Sequence, residues 1–166
     1  MKIIKSILVP TDFSDLSLTA MEYAKTFSII FNTRIYLIHV VEDITVLAFH
    51  TAELNPETAL RDKTDKAGAE LNEFLANKFP GDNNIALVVR RGEAYREIIK
   101  FAQEERIDLI VLSTHGRTGL SHLLMGSVAE KVVRHSTVPV LTVKPEKLHE
   151  KLLASGAVEE QLHSNG

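Results

Sequence analysis

The chain has 166 residues, of which 45% are apolar and 25% charged, with a formal net charge of −3. That fits one globular domain with a real core, and the small net charge gives no field favouring nucleic acid or an anionic membrane. The absence of cysteine excludes disulfides, thiolate chemistry and thiol-ligated metal centres, and no apolar run approaches the ~18 residues of a membrane span.

The opening MKIIKSILVPTD is a short apolar run stopped by a proline and an acid, the pattern of a first strand rather than a signal peptide. Within it, residues 3–9 are broken only by Lys5 and Ser6, which predicts a strand buried on both faces and ended by Pro10. Thr11, Asp12, Phe13 and Ser14 make a turn, and Ser14 or Asp15 can cap the next helix. Leu16, Ala20, Tyr23, Ala24, Phe27 and Ile30 recur at helical spacing. Residues 34–41 read as the second strand, and residues 42–55 as an irregular stretch that could act as a flap. Pro56 suits the first turn of a long amphipathic helix reaching residue 79. Gly68 inside it costs roughly 1 kcal/mol relative to alanine. Pro80-Gly81-Asp82-Asn83 is a turn. Residues 85–89 predict the third strand, closed by Arg90, Arg91 and Gly92, and residues 93–105 the third helix. Residues 107–112 predict the fourth strand, a helix from Ser127 to about Ser136 follows, and residues 138–143 predict the fifth strand. Regular alternation of strand and helix predicts an α/β fold, a parallel sheet with helices on both faces and right-handed crossovers.

The stretch DLIVLSTHGRTGLSHLLMGS, residues 108–127, joins the fourth strand to the fourth helix. It turns at Ser113, Thr114, His115 and Gly116, then meets Gly126 and Ser127 at the helix start. Glycine lets backbone approach a ligand closely, and a helix start offers unpaired N–H groups and a partial positive charge. The pattern suits a phosphate cradle, and it equally suits an ordinary strand-to-helix loop with glycines for turning. It is no Walker A loop, because no lysine precedes Ser127, and its glycines are too far apart for a dinucleotide fingerprint.

Gly116, Gly126 and Ser127, together with LVPTDFS, LIHVVE and VPVLTVKP, resemble the universal stress protein family, in which ATP-binding members carry Gly-x2-Gly-x9-Gly-Ser/Thr after the fourth strand. The first glycine of that pattern falls on Ser113 here. The resemblance covers residues 2–145 and implies a single-domain five-stranded parallel sheet of order 3-2-1-4-5, of the adenine nucleotide alpha-hydrolase-like type, over residues 1–145. Residues 146–166 would then be a tail that could add a short helix. In that order the first and fourth strands form a switch point, where ligands bind outside the strand ends.

The resemblance implies nucleotide contacts at Pro10, Thr11, Asp12 and Val40, at Ser113, Gly116 and Arg117 in the loop, and at Gly126, Ser127, Val128 and Ala129, whose N–H groups would face phosphate. Read alone, Asp12 is also an ordinary capping aspartate, Val40 the end of a core strand, and His39 a satisfied core histidine. His115, Arg117 and His122 read as solvated loop residues, with Arg117 the best of them for phosphate. ATP with Mg2+, a cytoplasmic location and a homodimer through Val138, Val140, Leu141 and Val143 complete the expectation. No catalytic residue and no metal ligand set is expected. The rivals are a dimeric stress protein that binds no nucleotide, a slow ATP hydrolase or phosphotransferase using the same cleft, and a monomer whose tail covers the fifth strand.

Overall fold

The computed structural model describes residues 3–42, 56–114 and 125–144. Nine elements follow in order among them: β1 (Ser6–Pro10), α1 (Asp15–Phe31), β2 (Arg34–Val41), α2 (Pro56–Lys78), β3 (Ile85–Arg91), α3 (Ala94–Glu104), β4 (Leu109–Ser113), α4 (Ser127–His135) and β5 (Val140–Val143). The strands form one sheet in the order β3-β2-β1-β4-β5, and every pairing is parallel. The chain therefore reverses its direction of travel across the sheet between β1 and β4. No helix among the described residues is long and apolar enough to cross a membrane.

Alternation along the strands builds two cores, one on each face. Ile7 and Val9 of β1, Leu37 of β2 and Val111 of β4 pack with Met21 and Ala24 of α1 and Leu71 of α2. Leu8, Ile38, Ile110 and Leu112 point the other way, to Ile98 and Phe101 of α3 and Ala129 and Val132 of α4. Helix α1 begins at Ser14, whose side chain accepts from the Ser17 N–H, and ends at Asn32 in the left-handed conformation, φ 53°.

Several boundaries differ from those the pattern predicts. Pairing in β1 starts at Ser6, and Ile3 is exposed. Strand β3 runs on to Arg91, because Val40 and Val41 of β2 find partners in Arg90 and Arg91. Strand β4 starts at Leu109, after Arg106 has taken a positive φ of 51°. The Asp108 carboxylate there accepts from the N–H groups of Lys5 and Ser6. Strand β5 starts at Val140, because Ser136 Oγ accepts from the Val138 N–H and donates to the Val138 carbonyl, folding that residue into a turn. The predicted tail and flap lie outside the described residues.

Candidate functional site

A cleft of about 660 Å³ opens over the carboxyl ends of β1, β2 and β4. Of the residues expected in a site, Pro10, Thr11, Asp12, Val40, Ser113, Gly126, Ser127, Val128 and Ala129 all line it. Gly116 and Arg117, with His115 and His122, lie outside the described residues.

The turn after β1 is held tightly. Thr11 donates its N–H to the Ile38 carbonyl at 2.9 Å, and its hydroxyl pairs with Ser17 Oγ at 3.0 Å. That same Thr11 hydroxyl accepts from the Phe13 N–H at 3.1 Å. Asp12 Oδ1 accepts from the Ser14 N–H at 3.1 Å and from Ser14 Oγ at 2.6 Å. Asp12 therefore braces the entry to α1 while it lines the cleft, so its capping and cleft roles coexist.

On the other side, β4 ends at Ser113 in ordinary strand pairing with Val143. Ser113 is not among the residues with positive φ, so its departure from glycine carries no left-handed strain. Thr114 donates its N–H to the Val143 carbonyl and accepts the Gly126 N–H at 2.6 Å. These bonds tie the two ends of the connecting segment together at its base. The Gly126 N–H, expected to face phosphate, is here given to the Thr114 carbonyl. Gly126 has φ −67° and ψ 152°, a conformation open to any residue, so backbone handedness does not require glycine here. The first helical bond runs from the Glu130 N–H to the Gly126 carbonyl. The N–H groups of Ser127, Val128 and Ala129 have no acceptor among the described residues. Such a helix start, nine residues long in α4, carries a partial positive charge suited to an anion.

Three features of the cleft were missed in the sequence. His39 lines it, although its placement inside a strand suggests a core histidine. Lys63, Lys66 and Glu70 line it from α2, where they share a face with Ala67. Ala94, Ile98 and Val132 add an apolar floor from α3 and α4. The signal for α2 was present as i, i+3 and i+7 spacing about Ala67, but nothing in the sequence says which face meets the sheet ends. Chemically, the cleft combines an apolar floor, a carboxylate and backbone donors at a helix start. Such a lining would suit a ligand with an apolar body, hydroxyl or amino groups and an anionic end.

The Universal stress protein family profile matches residues 4–144. The chain belongs to the universal stress protein family. It is 32% identical over 153 residues to Universal stress protein MJ0577 of Methanocaldococcus jannaschii, covering 84% of this chain and 94% of that protein. The solved structure of MJ0577 superposes with a TM-score of 0.74 at 28% identity, covering 87% of this chain and 98% of the other. A universal stress protein solved in complex with cAMP superposes with a TM-score of 0.62 at 25% identity, covering 86% of this chain and 98% of the other. The strand order expected from the resemblance is the one observed.

Proposed function

We propose that the protein is a cytoplasmic, ATP-binding universal stress protein that works as a homodimeric, nucleotide-dependent regulator, with Mg2+ accompanying the triphosphate. One observation carries this reading: Thr11 and Asp12 after β1 line one cleft at the switch point of the sheet with the start of α4, whose Ser127, Val128 and Ala129 N–H groups have no acceptor among the described residues. The cAMP complex of a relative supports an adenine nucleotide as the class of ligand. In this reading the Ser127, Val128 and Ala129 N–H groups receive phosphate oxygens, and the Ser127 hydroxyl adds a donor. The Asp12 carboxylate accepts from a ribose hydroxyl or the adenine amino group, the Val40 backbone borders the base, and Pro10 covers it. Arg117 and Gly116 belong to the same site by motif. Mg2+ would be held chiefly by the phosphates themselves, as is usual for that ion.

Calorimetric titration of the purified protein with ATP and AMP tests the reading. Wild type should bind both, ATP more tightly. Gly126→Val should fold, because φ −67° suits valine, yet lose ATP because its methyl groups occupy the phosphate approach. Unchanged ATP affinity in a folded Gly126→Val protein would overturn the placement.

A further inference from the structure

Phe13 holds a positive φ of 65°, which a residue with a bulky side chain avoids unless its surroundings impose it. His39 supplies those surroundings. Its ring centroid lies 4.2 Å from that of Phe13, tilted by 32°, and Phe74 of α2 meets Phe13 edge-on at 6.3 Å. The Nδ1 atom of His39 also lies 2.9 Å from the Thr11 carbonyl oxygen. A carbonyl can only accept, so Nδ1 carries the proton and donates. One imidazole thus grips the residue before Asp12 by a hydrogen bond and the residue after it by ring contact. Its own backbone is fixed, because His39 pairs with Val89 in the interior of the sheet.

We propose that His39 is a positioning residue of the cleft, holding the strained turn at Thr11 and Phe13 so that Asp12 is presented in one orientation before a ligand arrives. Pre-organisation of this kind raises affinity by lowering what must be ordered on binding. As far as affinity is concerned, the proposal rests on the nucleotide reading above; the geometry of the turn does not depend on it. The contact with Phe74 extends the arrangement to α2, the helix whose Lys63, Lys66 and Glu70 share the cleft.

The test uses amide hydrogen exchange and ATP titration on wild type, His39→Leu and His39→Phe. His39→Leu removes both ring and donor, whereas His39→Phe keeps a ring and removes only the donor. In ligand-free His39→Leu, exchange should accelerate about tenfold at the Phe13 and Ser14 amides, the effect of losing roughly one hydrogen bond and its local order. Amides of Leu8 and Leu37 in the core should stay protected. Its ATP affinity should fall by about the same factor, with His39→Phe between it and wild type in both readouts. Unchanged exchange at Phe13 and Ser14 would overturn the proposal, as would a general loss of core protection with ATP affinity intact. Should His39→Leu not fold, His39→Phe decides alone, and exchange at those two amides equal to wild type would overturn the proposal. A wild type that binds no adenine nucleotide defeats the reading of the ligand, while the exchange data still judge the role of His39.

Discussion

Asp82 lies in the turn before β3, where opposing effects act on its carboxyl group. Burial pushes its pKa up, but the hydrogen bond from Lys25, the Asn84 N–H and the Lys25 charge together hold it below the ordinary carboxylate range. The Lys25 ammonium is 2.9 Å away. Because the folded pKa is lower than the unfolded one, the pair stabilises the fold above the unfolded carboxylate range, and that contribution disappears as pH falls through the folded value. Asp82→Asn should therefore cost up to about 1 kcal/mol at neutral pH and almost nothing in strong acid. Urea denaturation at both pH values checks this, and an equal loss at both would contradict it. Thr33 poses the opposite case. Its side chain is fully buried, and its hydroxyl has no hydrogen-bond partner among the described residues. Its backbone is well served, with the carbonyl accepting from Ser28 Oγ and Asn84 Nδ2. Thr33→Val should raise stability by about 1 kcal/mol, visible as a higher urea midpoint, because it removes an unpaired polar atom without changing shape.

Helix α4 sets what the cleft can do chemically. In the proposed reading, three backbone donors on the helix start would hold phosphate oxygens in the ground state about as well as in the transition state, and such uniform binding does not accelerate turnover. ATP hydrolysis by the purified protein should fall far below the ~1–100 s⁻¹ of kinases. Turnover in that range, lost on Ser127→Ala, would contradict this. Elements were legible in the sequence where period and punctuation agree: α1 from its cap at Ser14 is one case, and α4 after Gly126 another. Ends failed where a side chain redirects the backbone, as Ser136 does to Val138. Strand-tip residues of the cleft were legible because Pro10, Thr11 and Asp12 form a local motif. His39 and the α2 face were not, since their role depends on tertiary contacts with Phe13 and the sheet. The loss of the Gly126 N–H to Thr114 could not be read either, because it arises from closure of a long connection.

At the scale of the whole molecule, β5 is an edge strand of the sheet, with no strand beyond it among the described residues, and sheet edges are usually covered or paired. Its side chains already serve the two cores: Leu141 and Val143 pack on one face and Val140 on the other. The carbonyls of Pro139 and Val143 accept from Ile110 and Thr114. Since N–H and C=O of one residue leave a strand on the same side, Val140 and Thr142 direct theirs to the outer edge. The missing N–H of Pro139 thus faces β4 and leaves the outer edge intact. Pairing of β5 with its copy about a two-fold axis would satisfy those groups. Sedimentation should find wild type dimeric at micromolar concentration and Thr142→Pro largely monomeric, because the variant removes an edge donor and spares the core. A monomeric wild type, or a Thr142→Pro protein still dimeric, would contradict the pairing. The central claim is that an adenine nucleotide lies across the ends of β1 and β4 with its phosphates at α4. Titrating isotope-labelled protein with ATP and following backbone amide resonances tests it most directly. The account predicts the largest shifts at Ser127, Val128 and Ala129, with smaller ones at Thr11, Asp12 and Val40. Saturating ATP that leaves those amides unmoved, or moves only residues away from the cleft, would contradict it.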